Sequence, residues 1–111
     1  MKKKLRDAYN HEMTLAKSMF EKQDFLQCYY HLERGHILGQ RNYIPHVVNH
    51  FWMFKVGIQL RDFREVLGQM TRMVMSIFSL INLVPIGNTG RARISPLKPM
   101  PIPSDLLDYF T

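Results

Sequence analysis

Histidines are concentrated in the middle of this sequence, where four of the chain's five lie within residues 31–50. His46 and His50 are four residues apart, which places both side chains on one face of a predicted helix, where they can bind one metal ion. His36 and Glu33 precede them on a neighbouring predicted helix. We therefore predict a metal site with His36, His46, His50 and Glu33 as ligands. Such donors suit Zn²⁺, Cu²⁺, Ni²⁺ and Fe²⁺, and the sequence does not choose among these ions.

The remaining two histidines fit this site less well. His31 is five residues from His36, about 140° round an α-helix. His31 is therefore only an additional candidate ligand, or a group that contacts the ligands without binding the metal itself. His11, beside Glu12 on the first predicted helix, is the weakest candidate.

Two other interpretations of the histidine-rich stretch stay open. A histidine near a helix end can simply bond to a backbone carbonyl or a neighbouring acid, which would make this a structural cluster. The same residues could also act as acids and bases without a metal. A diiron site of the ferritin kind is not indicated, because the only Glu-x-x-His motif is residues 33–36. No serine or cysteine has the surroundings of an activated nucleophile, so an enzyme is the less favoured interpretation.

Four helices are predicted to position these residues. Apolar residues recur at spacings of three and four over residues 3–21, and Asp24 can cap a second helix that ends near Gly39. A third helix runs over about residues 44–60, with Pro45 in its first turn. The fourth begins at Phe63. Its apolar residues are Phe63, Val66, Leu67, Met70, Met73, Val74, Ile77 and then Leu80 or Ile81.

A weak internal repeat links the two halves of this helical region. The connection Gln23-Asp24-Phe25 reappears 38 positions later as Arg61-Asp62-Phe63. A helix-loop-helix unit of about this length looks like a tetratricopeptide hairpin, whose unit is about 34 residues. The predicted fold is all-α, with two antiparallel, tetratricopeptide-like hairpins in a compact four-helix domain over residues 1–83.

The remainder, residues 84–111, holds five of the six prolines and is predicted to be an extended strap packed on the helices. Residues 87–90, Gly-Asn-Thr-Gly, predict a tight turn with positive φ. With Arg91 and Arg93, this turn could also cradle an anion. Residues 103–105, Pro-Ser-Asp, can start a final helical turn.

Composition limits the classes of function. The formal net charge is +6, yet the basic residues are spread singly beside acids, which argues against nucleic-acid binding. The single cysteine, Cys28, is predicted to be buried, and it fits a reducing compartment. The N-terminus resembles neither a secretory signal nor a membrane span, so the expected location is the cytoplasm.

Four ordered motifs identify a family resemblance. They are HLERGHILGQ at 31–40, the His46/His50 pair with Met53, REVLGQMTRM at 64–73, and VPIGNTGRARISPLKPMPIPSDL at 84–106. Together they resemble the small bacterial family DUF3703, a domain of unknown function. The resemblance implies that the positions of His31, Glu33, His36, His46 and His50 and the Gly-Asn-Thr-Gly turn belong to a family pattern. Two departures from that pattern are Gly35 in place of an alanine and residues 51–53 in place of a stretch with another histidine.

Two functions follow as the main hypotheses, and a small hydrolase or oxygenase built on the metal, which would need an open coordination position, is a third. The first is a small cytoplasmic protein that binds a transition metal through a histidine cluster between helices two and three. The alternative is a protein-interaction module whose tetratricopeptide-like groove binds a protein partner without metal. The sequence leaves the partner and the oligomeric state open.

Overall fold

The computed structural model describes residues 1–76, 87–95 and 98–110, and within them the protein is all-helical without a strand. The predicted continuation of the fourth helix to Leu80 or Ile81 and the predicted domain boundary after residue 83 lie outside these ranges. No helix among the described residues is long and apolar enough to cross a membrane.

Four α-helices follow one another with short connections, as predicted. A short 3-10 helix follows later in the chain, starting within the predicted residues 103–105. The elements are α1 (Lys3–Glu21), α2 (Phe25–Gly39), α3 (Tyr43–Leu60), α4 (Phe63–Met75) and the C-terminal 3-10 helix (Ser104–Phe110).

The connections α1–α2 and α3–α4 are built alike. Gln23 and Arg61 each adopt a left-handed conformation, with φ of 61° and 54°. The next residue in each, Asp24 or Asp62, caps the following helix by accepting a hydrogen bond from the backbone N–H three residues on, at 3.2 Å in both cases. The predicted cap at Asp24 is confirmed, and the 38-residue repeat recurs in the turn geometry.

The apolar core lies where α2 packs against both α1 and α3. Cys28 is fully buried there, as predicted, and burial, with the nearby Asp24 charge, raises the pKa of its thiol to about 11. Leu106 of the C-terminal 3-10 helix is also buried in this core. The buried apolar residues are Tyr9, Met13, Ala16, Cys28, Tyr29, Leu32, Ile37, Leu38, Met53, Val56 and Leu106.

Helix α4 buries a polar face. Its apolar residues Phe63, Leu67, Met70 and Val74 are 72%, 65%, 49% and 79% exposed, whereas the fully buried residues of α4 are polar. These are Glu65 and Gln69, one helical turn apart on the opposite face. Their burial is compensated by hydrogen bonds near the histidines, so polar chemistry outweighs apolar burial in orienting this helix.

Candidate metal centre

Three buried histidines converge between α2 and α3. His36 comes from the last turns of α2, and His46 and His50 come from the first half of α3. The Nε2 atom of His46 lies 3.1 Å from Nε2 of His36 and 2.9 Å from Nε2 of His50. The side chains are 2%, 5% and 2% exposed in chain order. We call these three residues the central cluster, whose ligand atoms all lie within 4.8 Å of one another.

The short α2–α3 connection brings His36 and His46 together because the helices can approach closely there. A Cβ atom on Gly39 would lie 2.9 Å from the Tyr9 ring and 3.0 Å from Cβ of Pro45, so any larger residue would force these groups apart. The Tyr9 hydroxyl donates to the Pro45 carbonyl at 2.7 Å and ties α1 to the start of α3.

The outward-facing ring nitrogens determine where the protons lie. Nδ1 of His36 is 2.6 Å from the backbone carbonyl of Asn88, and Nδ1 of His50 is 2.5 Å from Oε1 of Gln69. A carbonyl oxygen only accepts hydrogen bonds, so Nδ1 must be the protonated nitrogen in both rings. When these rings are neutral, both Nε2 atoms therefore carry lone pairs that point into the central cluster.

The orientation of the Gln69 amide follows from its other bonds. Its nitrogen donates to Oε2 of Glu65 at 2.7 Å and to the Gly90 carbonyl at 2.9 Å. Both of these atoms are acceptors, so the amide oxygen is the atom that faces His50. Glu65 in turn accepts from Nε of Arg91 at 2.7 Å and from the backbone N–H of Ala92 at 2.9 Å. A buried chain of hydrogen bonds thus connects His50 to residues 90–92.

The predicted Gly-Asn-Thr-Gly turn lies directly against His36. Gly87 and Gly90 have φ of 81° and 83°, as the sequence predicted. A Cβ on Gly90 would lie 2.5 Å from the His36 ring, so this position needs glycine for space as well as for backbone conformation. The side chain of Asn88 accepts from the Gly90 N–H at 2.9 Å and fastens the turn. Arg91 and Arg93, predicted to cradle an anion with this turn, instead form ion pairs with Glu65 and Asp62.

Burial keeps the central cluster uncharged at neutral pH. It lowers the pKa of His46 to about 4. Burial, then His46 and more weakly Arg72, lowers the pKa of His50 to about 3, whereas the hydrogen bond that His50 donates to Gln69 opposes this shift. Burial and the two neighbouring histidines also hold the pKa of His36 well below its usual range. Neutral imidazole is the form that ligates metals.

Glu33 lies outside the central cluster. Its Oε1 accepts from Nη1 of Arg91 at 3.1 Å, and the same guanidinium also binds Glu65. Burial raises the pKa of Glu33, and the bond from Arg91 opposes that rise. Glu33 thus contacts the buried network through Arg91, and its role as a ligand stays a prediction.

His31 lies on the side of α2 that faces α1. Its Nδ1 is 2.8 Å from Oε2 of Glu12, and Nε of Arg34 donates to Oε1 of the same carboxylate at 2.8 Å. Arg34 also forms an ion pair with Asp105 of the C-terminal 3-10 helix. We call His31, Glu12, Arg34 and Asp105 the outer cluster. His31 therefore belongs to the outer cluster, and its role as a metal ligand also stays a prediction.

Sequence reasoning missed the side chains that orient the ligands, above all Gln69 and Glu65. The available signal was a pair of polar residues four apart in α4, on the opposite face from its apolar stripe. Such a pair predicts a polar face, but it does not tell whether that face is buried or exposed to solvent.

Comparison with known proteins identifies the family but no characterised relative. Neither the curated proteins nor the solved structures yield a match to this chain. The sequence profile described as "Protein of unknown function (DUF3703)" matches residues 3–110, which is nearly the whole chain. The chain therefore belongs to the DUF3703 family.

Proposed function

We propose that this protein binds a transition metal ion through the Nε2 atoms of His36, His46 and His50. The observation that carries the proposal is the convergence of three buried imidazole nitrogens, two of which are left with lone pairs by the bonds at Nδ1. Glu33 and His31 are not part of the proposed ligand set, because Arg91 and Glu12 hold them elsewhere.

Hydrogen bonding alone does not account for these contacts. Nε2 of His46 can carry at most one proton, so it can donate to His36 or to His50 but not to both. At least one lone pair in the cluster would then face another nitrogen without a proton between them, which is costly in a buried site. A metal cation would satisfy all three nitrogens at once.

The two nitrogen–nitrogen distances that involve His46 suit coordination. Zinc–nitrogen bonds are about 2.0–2.1 Å long, so an ion bonded to His46 and to either neighbour about 3 Å away would have an angle of roughly 90–100° between those two bonds. The carbonyl and amide oxygens that accept from Nδ1 of His36 and His50 also correspond to the outer partners usual for metal-bound histidines, which fix the ring orientation. The donors suit Zn²⁺, Cu²⁺, Ni²⁺ and Fe²⁺.

The test is elemental analysis of protein purified without an affinity tag or chelator. We expect a near-stoichiometric transition metal in the wild type and in His11→Gln, which removes an exposed histidine, and little in His46→Ala/His50→Ala. If the wild type takes up none of the four ions when each is supplied at one equivalent, or if the double variant binds as well as the wild type, the proposal is wrong.

A second candidate function is partner binding. We propose for the helices a tetratricopeptide-like arrangement of two hairpins with the proline-rich strap docked on them, supported by the two matching turns. The specific observation that favours partner binding is the exposed apolar stripe on α4, formed by Phe63, Leu67, Met70 and Val74.

The two candidate functions separate in a co-purification experiment. A partner bound through α4 should survive His46→Ala/His50→Ala and be lost in Leu67→Glu, which places a charge in the exposed stripe. Retention of the partner by Leu67→Glu would exclude this surface.

A further inference from the structure

The proposed metal site offers three protein donors, which raises the question of what completes the coordination. We propose that the remaining position is taken by hydroxide or another small anion supplied by solvent, and not by a side chain. This inference rests on the proposed metal binding and gives the chemical class of the exchangeable ligand.

The protein has few candidates for a fourth ligand. Among the described residues, the histidine, cysteine and carboxylate groups that could hold an ion together are limited to the central cluster. The other stretches, residues 77–86, 96–97 and 111, contain no histidine, cysteine, methionine, aspartate or glutamate. The side-chain types that commonly complete such sites therefore cannot come from them.

The nearby carboxylates already accept hydrogen bonds from other groups. Glu65 accepts from Arg91, Ala92 and Gln69, and Glu33 accepts from Arg91. Withdrawing either one would leave the Arg91 guanidinium with one carboxylate fewer. A divalent ion held by three neutral imidazoles would thus place two uncompensated positive charges in a buried site, which strongly favours an anionic fourth ligand.

Arg72 adds to the positive potential beside the cluster. Its guanidinium bridges α4 and the following segment by donating to the carbonyls of Ile94 at 2.7 Å and Ala92 at 3.3 Å. It also donates to the Gly68 carbonyl of its own helix at 3.2 Å. These acceptors are all uncharged, and among the described residues Arg72 forms no ion pair. The nearby Glu65 carboxylate balances part of its charge, and the remainder can attract an anion.

Burial restricts the size of the fourth ligand. The most accessible member of the cluster, His46, is 5% exposed, so very little of the cluster's surface is open to solvent. A linear or diatomic anion fits this restriction better than an organic substrate.

Met53 is the competing candidate for the fourth ligand. It is fully buried and lies one turn after His50, and its sulphur lies 3.3 Å from the Gln69 amide nitrogen. Replacing it by leucine keeps the volume and removes the donor. Met53→Leu therefore separates a solvent-derived ligand from a sulphur ligand.

The experiment is a titration of Co²⁺-loaded full-length protein with sodium azide, followed by the visible cobalt bands, with sodium perchlorate at equal ionic strength as control. We expect a saturable shift of the bands with azide and no shift with perchlorate, with the same azide response in Met53→Leu. Bands that do not respond to azide in the wild type, or a response gained only in Met53→Leu, would overturn the inference.

Failure of the underlying proposal has a different signature. If Co²⁺ develops no ligand-field bands in the wild type, and Zn²⁺ also fails to bind by calorimetry, metal binding itself is wrong. If the bands develop but azide leaves them unchanged, metal binding stands and the anionic fourth ligand is wrong.

Discussion

The central cluster and the outer cluster use the same residue type on opposite sides of α2. In the outer cluster a histidine nitrogen meets a carboxylate, since His31 lies 2.8 Å from Glu12, and the ends of the network reach solvent at Asp105. In the central cluster the outward nitrogens of His36 and His50 meet uncharged oxygens, and the inward nitrogens meet one another.

This difference shows that the partners of a histidine, more than its position on a helix, decide its chemistry. Arg34 pairs with the carboxylates of Glu12 and Asp105, and the outer cluster therefore works as an ion-pair network that holds α1, α2 and the C-terminal 3-10 helix together. Amide and carbonyl acceptors fix the tautomer without supplying negative charge. The buried rings of His36 and His50 then direct their Nε2 lone pairs into the central cluster, as metal ligands must.

The largest contrast between the clusters is expected when one histidine is removed from each. His50→Gln should lower metal affinity by more than about 100-fold, because even the loss of an outer partner of a metal-bound histidine costs about 10–100-fold. His31→Gln should leave the affinity unchanged. Competition with a chromophoric chelator measures both affinities. Equal losses of affinity in the two variants would mean that the two clusters do not differ in metal binding.

The next prediction concerns Gln69, whose amide oxygen orients the ring of His50. Gln69→Met keeps the approximate size of the side chain but removes the oxygen that accepts from His50, so metal affinity should fall by about 10–100-fold. Gln59→Met, at an exposed position of α3, is the matched control and should bind as the wild type does. If Gln69→Met binds metal with wild-type affinity, the tautomer of His50 is not set by this bond.

Acid should lower the free energy of unfolding of the metal-free protein, because histidines of the central cluster take up protons when the chain unfolds. The pKa values of His46 and His50 are about 4 and about 3 in the folded chain, below the ordinary 6.5, so between these values the unfolded chain binds more protons. The free energy of unfolding should therefore fall as pH falls from 7 to 5, by about 2 kcal/mol for each such histidine.

Urea unfolding at pH 7 and pH 5, in the presence of a chelator, measures this dependence. His46→Gln should show a smaller loss of stability between the two pH values than the wild type. An identical loss in both proteins would mean that His46 is already protonated, or equally accessible, in the folded state.

The smallest effect is expected at the edge of the outer cluster. Asp105 is exposed, so solvent screens its ion pair with Arg34, and Asp105→Asn should change the free energy of unfolding by at most about 1 kcal/mol. Metal affinity should not change. A loss of several kcal/mol in urea unfolding would show that this ion pair anchors the C-terminal 3-10 helix far more strongly than an exposed contact should.

Local spacing was sufficient to predict part of this structure. The i, i+4 relation of His46 and His50, the cap at Asp24 and the positive φ values at Gly87 and Gly90 depend on residues close in sequence, and all three appear in the structure. The approach of His36 follows from the short turn between α2 and α3. Such features are readable because helix geometry alone relates the residues.

The rest depended on contacts between distant segments. Gln69 reaches His50 across 19 residues, and Arg91 reaches Glu33 across 58. A single sequence does not reveal that Arg91 would take Glu33 as its partner. Nor does it reveal that α4 would turn its polar pair inward, because the apolar residues of α4 satisfy the same helical period on the other face.

The most direct test of the central claim is X-ray absorption spectroscopy of the zinc-loaded protein. We predict a first shell with three imidazole nitrogens at about 2.0–2.1 Å, recognised by the multiple scattering of their rings. His50→Gln should leave at most two. A first shell of oxygen atoms without imidazole scattering in the wild type would contradict metal binding by His36, His46 and His50.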